Sequence, residues 1–93
     1  MPAWFPMNSR RSSDFDKLFA RLPAHIQELA RKNYRLWCEN PWHPSLHFKE
    51  WAPDHWSVRV GKDYRCLAAK RPDGSYLWSW IGPHQVYDKL LQR

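Results

Sequence analysis

The sequence predicts an α+β domain, a helix hairpin packed on a four-stranded antiparallel sheet and followed by a C-terminal helix. Three observations predict it. Apolar residues recur at helical spacing from Phe15 to Cys38. The prolines of "NPWHPSLHF" then end that period, and from there to Ile81 the period is two, broken by short turns.

Residues 1–12 carry two prolines and no sustained period, so they read as a loose arm in which Trp4 and Phe5 are available to dock. Residues 13–93 read as a single domain. Ser13, with Asp16 three residues on, is an N-cap signal, and Phe15, Leu18, Phe19 and Leu22 make the apolar stripe of a first helix. Pro23 suits the first turn of a second helix with stripe Ile26, Leu29, Ala30, Tyr34, Trp37 and Cys38, ending before Asn40-Pro41. Pro41 and Pro44 predict an extended connection. "LHFKEWA" and "HWSVRV" are the first two strands; Gly61-Lys62-Asp63 turns the chain into "YRCLAAK", and Pro72-Asp73-Gly74-Ser75 turns it into "YLWSWIG". The alternating tryptophans of "WSW" are assigned to the core. Pro83 opens the last helix, with Val86, Tyr87, Leu90 and Leu91. The helix hairpin then covers one face of the sheet and leaves the other open.

A chain of 93 residues has room for one core, so it meets its partners on its surface. The net charge of +6 is spread along the chain, which favours an anionic partner such as nucleic acid or an acidic protein; basicity for solubility alone is the plainer reading. Cys38 and Cys66 are too few for a disulfide framework and read as reduced core thiols. The arginine pair in "MPAWFPMNSRRSS" follows a short apolar patch, the reverse of a secretory signal, and no apolar run is long enough to span a bilayer. A cytoplasmic location and no membrane partner are the expectation.

If Trp56, Val58 and Val60 face the helices, Arg59 faces the other way. Across the tight turn at Gly61, Arg65 is its neighbour, and two guanidiniums side by side are mildly unfavourable unless an anion lies between them. The alternative is that each is a solvated strand residue paired with Asp63, Asp54 or Glu50. His47, Lys49 and Trp51 share one side of the first strand, and Lys62 sits in the turn beside the arginines; charge mixed with aromatics suits a nucleic-acid groove, with Trp51 or Trp42 as the stacking residue. His84, Tyr87 and Asp88 share one face of the last helix. Asp88 can orient the imidazole of His84, or the three can simply pack and cap that helix. His43 and His47 flank Pro44 and do not have metal-site spacing, and the chain lacks a glycine-rich phosphate loop, so no metal or other cofactor is expected.

Taken in order, "LPAHIQELARKNYRLW", "HPSLHFK", "WSVRVGKDYRCLA" and "WIGPHQVYDKLL" resemble the RelE/ParE superfamily of bacterial type II toxins, over about residues 13–92. More closely, they resemble its small ParE-like branch with Trp-Ser-Val-Arg-Val-Gly, Tyr-Arg and Ile-Gly-x-His-x-x-Tyr-Asp motifs. The resemblance implies a toxin held by a cognate antitoxin, with one of two activities: cleavage of messenger RNA, usually on the ribosome, or inhibition of DNA gyrase. An inactive interaction domain of the same fold is a third outcome. For an RNA-cleaving member it implies that Arg59 and Arg65 hold the scissile phosphate while His84 or Tyr87 moves the proton of an attacking ribose 2′-hydroxyl. One position departs from that pattern: Ser57 stands where a second-strand lysine is expected. Arginine is too basic to replace a lysine as a base, so proton transfer falls to the C-terminal pair.

Overall fold

The structure, a computed structural model, describes residues 9–91. Its elements run β1 (Ser9–Arg11), α1 (Ser13–Ala20), α2 (Ala24–Glu39), β2 (Lys49–Ala52), β3 (His55–Val60), β4 (Tyr64–Lys70), β5 (Tyr76–Pro83) and α3 (His84–Leu91). The predicted α+β class and its helix hairpin are present, and the sheet has five strands in the order β1-β5-β4-β3-β2.

The fifth strand comes from the segment read as a loose arm. Ser9, Arg10 and Arg11 pair in parallel with Tyr76, Leu77 and Trp78 along the edge of β5. Three residues carry no apolar period, which is why this strand leaves no trace in the sequence pattern. The proposed docking of Trp4 and Phe5 lies outside the described residues.

Helix α1 is capped one residue earlier than predicted. Ser12, in extended conformation at φ −74° and ψ 162°, accepts the Phe15 N–H at 3.0 Å, whereas Ser13 already belongs to the helix. Helix α2 stops before Pro41, as expected, and begins at Ala24, with Pro23 as its N-cap rather than in its first turn. The connection beyond it is not extended throughout. Pro44–Leu46 form a 3₁₀ turn, with His43 Nδ1 accepting the Ser45 N–H at 3.2 Å, and His47 closes the turn at φ 46°. The first long strand therefore begins at Lys49 rather than Leu46, and His47 is a turn residue.

The core is aromatic. Trp37 from α2 is 1% exposed and meets Phe48, Tyr76 and Trp78 edge-on, at ring-centroid distances of 5.7, 5.4 and 5.1 Å. Such edge-to-face pairs add about 0.5–1.5 kcal/mol each beyond the area they bury. Val58, Val60, Cys66 and Ala68 supply the floor beneath them. Cys38 and Cys66 are both buried free thiols.

Two features set the opposite face. Between Leu67 and Ala68 the β4–β5 register slips, leaving Ser79 as an extra residue on β5. Trp78 and Ile81 are both buried in the core as a result, while Trp80 is paired with Leu67 on the other side of the sheet. The alternation of "WSW" is thus not a core stripe. Nor is that face fully open: Tyr87 of α3 lies over it, 6% exposed, with its hydroxyl 3.4 Å from Oγ of Ser57, itself 2% exposed. No helix among the described residues is long and apolar enough to cross a membrane.

Candidate functional site

The site begins at the β3–β4 turn. Gly61 takes φ +63°, a conformation that side chains other than glycine's resist, and the tight reversal places Arg59 directly opposite Arg65. Both point away from Val58, Val60 and Cys66, hence away from the helix hairpin. Arg59 donates from Nε to the Gly61 carbonyl and from a terminal nitrogen to Nε2 of His47, each at 3.2 Å. Arg65 donates to the Tyr64 carbonyl at 2.8 Å, and its guanidinium carbon lies 5.8 Å from the centre of the Tyr87 ring.

Among the described residues neither Arg59 nor Arg65 forms an ion pair. Among the described residues the ion pairs are Arg11 with Asp16 and Arg31 with Glu28, and His84 meets Asp88 in a contact that is an ion pair only when the imidazole is protonated. Of the candidate partners, Glu50 is engaged elsewhere, one of its carboxylate oxygens accepting the Asp54 N–H at 2.8 Å; the backbone carbonyl of Asp63 accepts the His84 N–H at 2.7 Å. Two cations face each other across adjacent strands without a counter-charge, an arrangement that costs a few tenths to about 1 kcal/mol until an anion joins them.

That last hydrogen bond, from His84 to Asp63, ties the first residue of α3 to the β3–β4 turn. His84 Nε2 lies 3.2 Å from a carboxylate oxygen of Asp88, one helical turn on, and the imidazole stacks on Tyr87 with centroids 6.0 Å apart. Nδ1 of His84 is buried and makes no hydrogen bond. The side chains of His84 and Asp88 are 43% and 48% exposed, so the pair is within reach of a ligand. Tyr87 differs: its ring underlies Arg65 and its hydroxyl is directed at Ser57.

Of the residues singled out from sequence, Arg59, Arg65, His84, Tyr87 and Asp88 are thus brought together, with His47 joining them through Arg59 rather than through a strand. Lys49 pairs with Ser57 in register and shares this face. Lys62 is exposed in the turn between the two arginines. Trp51 is placed elsewhere: it sits at a register shift in β2 and packs on His55 at 5.3 Å, about 13 Å along β3 from Arg59 at the usual strand rise. Trp42 lies against Phe48 and Trp56 on the helix side of the sheet. Two residues of this face were missed. Ser57 seats the Tyr87 hydroxyl, and Trp80 shares the face of Arg65; the sequence signal for Trp80 is Gly82 two residues on, whose missing side chain leaves room for an indole.

A hairpin of helices on one face of a mainly antiparallel sheet, with a last helix folded over the other, defines a small α+β domain with a basic, histidine-bearing face. More particularly, it is the RelE/ParE toxin fold. The RelB–RelE antitoxin–toxin complex from Methanococcus jannaschii is matched with TM-score 0.64 at 20% identity, over 85% of this chain and 95% of that one. The isolated E. coli RelE toxin is matched with TM-score 0.63 at 15% identity over 94% and 97%. The YoeB/ParE toxin from Agrobacterium tumefaciens is matched with TM-score 0.65 at 13% identity over 84% and 99%. No family model matches the sequence, and no curated protein matches it.

Proposed function

We propose that the protein is the toxin of a type II toxin–antitoxin pair and acts as a metal-independent endoribonuclease on messenger RNA, free or on the ribosome. The fold it shares with RelE and YoeB/ParE toxins supports the first part, and the matched complexes with RelB support a cognate antitoxin as its partner. One observation carries the second part: Arg59 and Arg65 oppose each other without a carboxylate, beside an exposed His84–Asp88 pair.

In this reading the two guanidiniums bind the scissile phosphate and stabilise the charge that grows on its oxygens in the transition state. His84 takes the proton of the ribose 2′-hydroxyl as that oxygen attacks phosphorus; the bond to the 5′-oxygen breaks, leaving a 2′,3′-cyclic phosphate and a 5′-hydroxyl once a proton reaches the departing oxygen. Asp88 holds one imidazole nitrogen so that the other is the acceptor, as carboxylates do in nucleophile–histidine sites. Since Nδ1 is shielded in the free protein, the imidazole has to turn to meet the substrate, and the Asp88 carboxylate keeps its hold on Nε2 only by turning with it. Tyr87, with its hydroxyl on Ser57, supports Arg65 from beneath rather than moving the proton.

The rival reading is contact inhibition of DNA gyrase. The serine at position 57 and the hydrogen bonds that pin α3 to the sheet favour it, because they make Tyr87 a structural clasp. Induction of the wild type beside His84→Ala separates the two. Transcripts that are cut by the wild type and intact with the variant bear out the ribonuclease; intact transcripts with altered plasmid supercoiling reject it for the rival.

A further inference from the structure

Trp80 owes its place to the bulge at Ser79, which turns its indole onto the face of Arg59 and Arg65 while Trp78 stays in the core. The ring lies along β5 over Gly82: a Cβ built on Gly82 would stand 2.7 Å from Cζ2 and 2.9 Å from Cη2 of the indole. Gly82 pairs with Arg65, which in turn opposes Arg59. One row across the sheet therefore reads indole over glycine, guanidinium, guanidinium, at about 4.8 Å per strand.

Part of the indole stays open to solvent. Trp80 is half-buried, and its Nε1 is not among the sealed, partnerless indole nitrogens of Trp37, Trp56 and Trp78. Trp37, Trp42 and Trp56 each pack on other rings, whereas among the described residues no aromatic ring packs on Trp80. A flat two-ring surface with backbone beneath, partly open to solvent, and two unneutralised guanidiniums beginning one strand away is the pairing of stacking platform and phosphate site that single-stranded nucleic acid uses.

We infer that Trp80 stacks an unpaired nucleobase adjoining the phosphate held by Arg59 and Arg65, so that the substrate is single-stranded RNA at the cleavage point. This rests on the ribonuclease reading above. Within a duplex the same base is covered on both faces by its neighbours and does not reach the ring.

The test measures binding of a labelled, fully 2′-O-methylated single-stranded oligonucleotide, which cannot be cleaved by 2′-hydroxyl attack, together with a set in which one base at a time is removed. Trp80→Ala is expected to weaken binding about five- to hundredfold and Trp80→Phe about threefold or less, with melting temperatures confirming that both fold. Gly82→Ala, which displaces the indole without deleting it, is expected to weaken binding as well. At one position, removing the base costs the wild type as much as Trp80→Ala does, and costs Trp80→Ala nothing further. Equal binding by wild type and Trp80→Ala, or a base-removal cost the same in both, overturns the stacking role. If the wild type cleaves RNA in the induction experiment while Trp80→Ala binds normally, only the stacking inference fails; if the wild type neither binds nor cleaves RNA, the ribonuclease reading fails with it.

Discussion

Replacing Gly61 by alanine tests how the arginine pair is held in place. Gly61 has φ +63°, and a Cβ there would lie 2.8 Å from Cδ2 of Leu29 on α2. Gly74, in the β4–β5 turn, has φ +88° and nothing within 4 Å. Both substitutions force alanine into the left-handed region, at about 1–2 kcal/mol, less the few tenths returned because alanine restricts the unfolded chain. Gly61→Ala must also push the Leu29 methyl aside; overpacking starts at about 1 kcal/mol, and a side-chain end yields more easily than backbone. The expected losses are thus about 1 kcal/mol for Gly74→Ala and about 2 kcal/mol for Gly61→Ala. Urea denaturation reads the difference directly, and thermal melts should separate the variants by about 4–8 °C. Adding Leu29→Ala to each variant should remove the excess in Gly61→Ala alone. Equal destabilisation by the two glycine substitutions, or an excess that survives Leu29→Ala, would refute the account of this turn.

Further outcomes follow from the same structure. Ser12→Ala should cost about 1 kcal/mol through loss of the cap on Phe15 N–H, while Ser13→Ala should stay within about 0.5 kcal/mol, both measured by denaturant titration. Burial pushes the Cys66 thiol well up, and burial chiefly does the same to Cys38. A thiol raised in the folded state contributes stability that is present below its unfolded value, about pH 8.5, and is lost as pH rises beyond it, at up to about 1.4 kcal/mol per unit and per thiol. Between pH 8.5 and 9.5, below the tyrosine range, melting temperatures should therefore fall for the wild type, less for Cys66→Ala, and stay level for Cys38→Ala with Cys66→Ala.

Much of this was legible in the sequence because it rests on period and punctuation. Trp37, Val58 and Val60 fall on apolar stripes, Pro23 and Pro41 bracket α2, and Gly61 marks the turn that sets Arg59 beside Arg65. What escaped depends on interactions that no local pattern encodes. Ser9–Arg11 is a strand only because the edge of β5 offers it partners. Trp80 left the core because one extra residue, Ser79, shifts the register, and alternation alone has no way to count it. His47 was placed on a strand by its neighbours' alternation, yet the turn after Pro44 ends on it, and it reaches the site through Arg59 instead. Asp88 on His84 was legible from the four-residue spacing on a helix; the seating of Tyr87 on Ser57 was not, since it joins residues thirty apart.

The central claim is tested most directly by the ends that cleavage leaves. In a translating extract programmed with a defined message, the wild-type protein should cut at fixed positions and leave a 2′,3′-cyclic phosphate with a 5′-hydroxyl. A single 2′-deoxynucleotide at the cut position should abolish that cut alone, and Arg65→Ala and His84→Ala should each lower the rate at least a hundredfold, in line with loss of a charge-stabilising donor or a general base. A message that stays intact with the wild type, or cuts that persist at the deoxynucleotide or with His84→Ala, would contradict the account.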